Sequence, residues 1–121
     1  MHTTDPNCIF CKIVRGEIPG SKVFEDADVI AFHDIRPLAP VHFMIVPKKH
    51  IATLYEVTMD DAAVLGKMLA LAPRLAEEQG AEDGFRTIIN TGRVGNQEVQ
   101  HVHIHVIGGP EPLGPMIRRT M

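Results

Sequence analysis

Near the end of the chain three histidines, His101, His103 and His105, alternate with Val102, Ile104 and Val106. Side chains of a β-strand repeat every two residues, so the run predicts a strand with imidazoles on one face and aliphatic core on the other. A strand that needed only to be buried would not align three groups that titrate near neutrality. Each has an ordinary pKa of about 6.5 and can serve as nucleophile, acid, base or metal ligand. The row is therefore the candidate active site. The plainer alternative is three solvated or singly hydrogen-bonded histidines on a half-exposed strand.

The rest of the chain predicts one small enzyme-sized domain. At 121 residues it can bury roughly two-thirds of its unfolded surface. A formal net charge of -3 offers no basic patch for nucleic acid. The apolar stretch from Val64 to Leu75 is interrupted by Gly66, Lys67, Pro73 and Arg74, so no membrane span is expected. Met1 to Asn7 is polar and lacks a signal peptide's apolar segment. The Cys8-x-x-Cys11 pair suits a reducing cytoplasm, as a metal-binding or redox dithiol.

No repeats or linkers divide the chain. Asn7 is placed to cap a short helix from Cys8 to Arg15, stopped by Gly16. Lys22–Glu25, Val29–Phe32, Phe43–Val46, Phe85–Asn90 and Val99–Ile107 read as strands. Thr58 with Asp61 resembles a capping box opening a helix that runs to about Gln79, with Gly80 as its stop. Pro73 inside that pattern should kink the helix or split it. The sum is an α+β domain: a five-stranded antiparallel sheet with one short N-terminal and one long helix. Residues 1–7 and 110–121 flank it as tails, and His2 is expected to be disordered.

The segment from His101 to Gly109 resembles the signature of the histidine triad superfamily, His-x-His-x-His followed by two apolar residues. Further segments are similar to its nucleotide-binding (Hint) branch. They begin at Cys8 (CIFCKIVRGEIP), Ala31 (AFHDIRP), Ala39 (APVHF) and Pro47 (PKKH), so the similarity covers nearly the whole chain to Gly109. Gly108-Gly109 favours that branch over the fragile-histidine-triad hydrolases, which tend to have Pro-Arg there.

The resemblance implies a purine nucleoside phosphoramidase that breaks a P–N bond through a covalent nucleotidyl-histidine. His103 would be the nucleophile, and His105 would bond the phosphate or help the leaving group. Backbone around His101, together with His42, would hold the nucleophile's tautomer. The loop from Asn90 to Glu98 would cradle phosphate, Gly92 and Gly95 supplying positive φ and Asn90 bonding phosphate or ribose. Asn96 stands where the family usually has glycine, and asparagine tolerates the left-handed region well. Nucleotide contacts are implied for Gln97, Glu98, chiefly through its backbone, and Val99. Asp34 would accept the ribose hydroxyls, and Phe10, Phe32 and Ile35 would sandwich the base, near Ile9 and Ile13. Arg36 replaces a common serine.

The resemblance also implies a structural zinc held by Cys8, Cys11, His50 and His101, whose loss should cost stability far more than chemistry. His33 is read as packing. No organic cofactor is expected. A two-fold homodimer is implied, with the helix from Asp60 to Gln79 and the strand from Phe85 to Asn90 at its interface. Two other readings use the same residues: a dinucleoside polyphosphate hydrolase or nucleotidyltransferase, and a non-catalytic nucleotide-binding module.

Overall fold

The computed structural model describes residues 4–115; His2 and the end of the C-terminal tail lie outside them. Helix α1 spans Ile9–Val14, followed by strands β1 (Lys22–Glu25), β2 (Val29–His33) and β3 (Val41–Pro47). Single 3-10 turns at Leu54–Glu56 and Met59–Asp61 lead into helix α2 (Ala62–Glu78), and β4 (Phe85–Ile88) and β5 (Ile104–Gly108) complete the chain. The five strands form one antiparallel sheet in the order β1-β2-β3-β5-β4, the α+β architecture expected.

Alternation along the strands divides the core between the two faces of the sheet. Val41, Phe43 and Ile45 of β3, with Ile104 and Val106, pack against Met68, Ala72, Leu75 and Ala76 of α2. Met44 and Val46 point the other way and join Ile30, Phe32, Phe10 and Cys11 beneath α1. The histidines of β3 and β5 share this second face, beside the short helix.

Local chemistry shifted several predicted boundaries. Cys8, not Asn7, caps α1, its Sγ accepting the Cys11 N–H at 3.4 Å. The Thr58/Asp61 capping box forms but opens a 3-10 turn, and α2 follows it. Pro73 does not split α2, which runs unbroken through it. The N–H that proline lacks would have bonded the Leu69 carbonyl, and both residues lie on the exposed side, where water can serve. Gly80 closes the helix at φ 107°; its N–H bonds the Glu77 carbonyl and that of Ala81 bonds Ala76, a Schellman motif. β4 stops at Ile88, two residues before Asn90.

The largest revision concerns the histidine row itself. β5 begins at Ile104, so of the three histidines only His105 lies in the ladder. Pairing with β3 ends at Ile45 opposite Ile104, because Pro47, two residues on, has no N–H to give. Val102 instead donates to the Ile51 carbonyl at 2.7 Å. At the other end of β5, a Cβ on Gly108 would fall 2.8 Å from the Ala81 side chain, so the glycine pair there serves close packing.

Candidate active site and metal centre

Freed from the ladder, His101 and His103 are held by hydrogen bonds that fix their tautomers. The Pro47 carbonyl accepts from His101 Nε2 at 2.7 Å, so Nδ1 of that ring carries the lone pair. The His101 carbonyl accepts from His103 Nδ1, also at 2.7 Å, which leaves the lone pair of His103 on Nε2. The edge of the Phe10 ring packs on His103 at 5.1 Å, nearly perpendicular to it. Burial lowers the pKa of His103 below the ordinary histidine value and pushes that of His101 down to about 4. Both rings are neutral at pH 7.

A second hydrogen-bond chain sets the state of His105. The Leu38 N–H donates to His42 Nδ1 at 3.1 Å, so the proton of that ring sits on Nε2. His42 Nε2 lies 3.0 Å from His105 Nδ1 and 3.3 Å from Asp34 Oδ2. His105 therefore accepts at Nδ1 and carries its proton on Nε2. Burial, then the neighbouring imidazoles of His103 and His42, push its pKa down to about 4. His42 thus orients His105, and the tautomer of His103 is fixed by the His101 backbone alone.

These groups open on a cleft of about 520 Å³ lined also by Phe10, Asp34, Ile35, Asn90, Asn96, Glu98 and Val99. Two predicted contacts sit elsewhere. Phe32 is buried behind Phe10, the rings 5.3 Å apart, and Ile13 packs into the same cluster. Gln97 turns inward and braces the loop: its Oε1 accepts the Gly92 N–H at 2.9 Å, and its Nε2 donates to the Ala52 and Val99 carbonyls at 2.7 and 2.9 Å. Gly92 and Asn96 adopt positive φ, 67° and 57°. Gly95 does not; there a Cβ would stand 2.5 Å from the Thr91 carbonyl oxygen, so the glycine is required for space.

Sequence reading missed Met44, Ile88 and Ile107 as lining residues. The signal was register: Met44 and Ile88 lie opposite His105, and Ile107 lies opposite His42. Arg36 and Leu38 also line the cleft. Arg36 is placed by its backbone N–H, which Asp34 Oδ1 accepts at 2.8 Å.

Behind the nucleophile, Cys8, Cys11, His50 and His101 gather their donor atoms within 4.8 Å of one another. Cys8 Sγ and His50 Nδ1 each stand 3.3 Å from His101 Nδ1, and Cys11 Sγ stands 3.4 Å from His50 Nδ1 and 3.6 Å from His101 Nδ1. Tetrahedral zinc with N and S ligands spaces its donors roughly 3.3 Å apart for N···N and 3.6 Å for S···N. The four residues fit such an ion without movement. Pro47 holds the His101 ring in the tautomer that presents Nδ1 to the centre.

Comparison with known proteins agrees with this geometry. The HIT domain family matches residues 15–111. A purine nucleoside phosphoramidase of Escherichia coli (strain K12) is 49% identical over 110 residues, which cover 90% of this chain and 92% of that protein. Protein HitA of Neisseria gonorrhoeae is 47% identical over 86% of this chain and 97% of its own length. Among solved structures, a HIT family hydrolase from Legionella pneumophila Philadelphia 1 superposes with a TM-score of 0.83 at 50% identity, covering 87% of this chain and 95% of that one.

Proposed function

This chain belongs to the HIT domain family, and we propose that it is a purine nucleoside phosphoramidase, hydrolysing the P–N bond of nucleoside 5′-phosphoramidates. The observation that carries the mechanism is the neutral His103 ring, its Nδ1–H committed to the His101 carbonyl, in the wall of a cleft beside His105. His103 Nε2 attacks the α-phosphorus; the P–N bond breaks, and the amine takes the Nε2 proton of His105. Water then attacks the nucleotidyl-histidine, returns a proton to His105 and releases the nucleoside monophosphate with His103 restored. Neutral imidazole attacks phosphorus and leaves again readily, so one hard displacement becomes two easier ones.

The choice of substrate is tested by measuring kcat/KM for adenosine and guanosine phosphoramidates against dinucleoside polyphosphates. The phosphoramidates are expected to be far better substrates. Preference for diadenosine polyphosphate would move the chain to another activity of the same chemistry, and binding without turnover would make it a nucleotide-binding module.

Asp34, on the cleft wall, is assigned to the ribose hydroxyls. Asp34→Ala is expected to weaken ribonucleotide binding by roughly 1.5–3 kcal/mol, the scale of a charged hydrogen bond. The 2′-deoxy analogue should lose less, which calorimetry with both nucleotides would show.

The Cys8, Cys11, His50 and His101 centre is assigned to zinc, which with all four positions filled by protein supplies rigidity and no reactive site. Its two free thiols suit the cytoplasm. No helix among the described residues is long and apolar enough to cross a membrane.

A homodimer is assigned to the edge formed by β4 and α2, where Phe85 and Leu69 remain 37% and 51% exposed. β4 ends the sheet with an unpaired edge, the kind of surface a second copy covers across a two-fold axis. Light scattering at micromolar concentration should give twice the 13.4 kDa chain mass; a single chain mass would count against the assignment.

A further inference from the structure

We propose that the Cys8–Cys11–His50–His101 centre positions the nucleophile as well as fastening the fold, acting through His101 and Phe10. The proposal rests on the reading of His103 as nucleophile, and two sets of contacts carry it.

The first runs through His101, which belongs to both sites. Its Nδ1 stands 3.3 Å from Cys8 Sγ and from His50 Nδ1, its Nε2 donates to Pro47, and its carbonyl accepts from His103 Nδ1 at 2.7 Å. A ring held at both nitrogens fixes its own torsions, and with them the backbone from which that carbonyl projects. The ladder of β5 does not supply this restraint, since it starts only at Ile104.

The second runs through Phe10, which lies between the two cysteines in sequence and is 5% exposed. Its ring meets His103 edge-on at 5.1 Å and His101 at 5.8 Å, and it also lines the cleft. A shift of either thiolate therefore moves a ring that touches the nucleophile. By contrast His50 is not among the residues lining the cleft and acts on the nucleophile only through the centre.

Coupling of this kind is reciprocal, so nucleotide in the cleft must be felt at the ligands. Cobalt(II) in place of the native metal gives the folded protein a visible ligand-field spectrum. Saturating AMP is expected to shift that spectrum. In Phe10→Leu, which keeps all four ligands, the shift should shrink and kcat fall about tenfold, the scale of lost outer-sphere support, with KM within about twofold. In His50→Ala the imidazole nitrogen resonances of His103 should report a mixture of tautomers where the holoprotein shows Nδ1–H alone.

A cobalt spectrum indifferent to AMP, together with a kcat in Phe10→Leu within twofold of the parent, would overturn the proposal. So would a chain that takes up no cobalt. Should His50→Ala fail to fold, the cobalt titration and Phe10→Leu decide the matter alone. A holoprotein that turns over no phosphoramidate would remove the functional reading, while the AMP-dependent spectrum would still decide whether the two sites are coupled.

Discussion

His103→Ala is expected to keep the fold and nucleotide binding while losing turnover by at least about 10³-fold, the penalty for removing a covalent nucleophile. Little else in the cleft can take over its role. His105 has its Nδ1 engaged by His42 and presents a proton, not a lone pair, on Nε2. His101 has its free nitrogen turned to the cysteines. Quenching the wild-type reaction in base should trap a nucleotidyl group on His103. The acid limb of the rate profile follows from the same ring. Burial lowers its pKa, so the neutral nucleophile persists below pH 6.5 and activity fails only as the pH drops through the depressed value. Near-normal turnover in the alanine variant, or no trapped adduct in wild type, would refute the covalent route.

Much of this site was legible because its residues obey a period. Alternation at His101 to Val106 told which side chains face the core, and Ile104 and Val106 are indeed buried against α2. The same alternation carried to β3 would have put His42 and Met44 beside His105, and so would have found two members of the cleft in advance. Strand extent was less legible. Nothing local to residues 99–103 reveals that the ladder starts late; the cause is Pro47, more than fifty residues away in sequence and opposite in the sheet. The His101 ring bond to Pro47 then replaces what the missing backbone donor cannot supply.

Loop chemistry was legible in kind rather than in detail. Asn96 adopts the positive φ its residue type tolerates, whereas Gly95 is needed for the space a side chain would take from Thr91. Gln97 has the composition of a ligand contact and the structure of a brace, which only the path of the surrounding backbone decides. Cys8 as helix cap was obscured because asparagine is the commoner cap and stands next to it.

Removal of the metal is expected to lower the melting temperature by more than about 10 °C. Zinc at a thousandfold excess over its dissociation constant stabilises a folded state by about 4 kcal/mol, and each kcal/mol moves the midpoint of a domain this size by several degrees. The centre joins α1 to the segment before β5 and to the loop after β3, three parts of the chain that share few other bonds. Their separation would also open the cluster containing Phe10, Phe32 and Met44, which packs against the same cysteines. Protons sharpen the test. Burial pushes the Cys11 thiol up, so the metal-free chain holds a proton there that the ion must displace. His101, at about 4, has none to lose at neutral pH. Binding should therefore release protons from thiols and weaken as the pH falls, and the holoprotein's advantage in melting temperature should shrink with it. Elemental analysis of chelator-free protein should find one zinc per chain. A metal-free preparation that melts at the same temperature, with or without added zinc, would leave Cys8 and Cys11 as a plain buried dithiol.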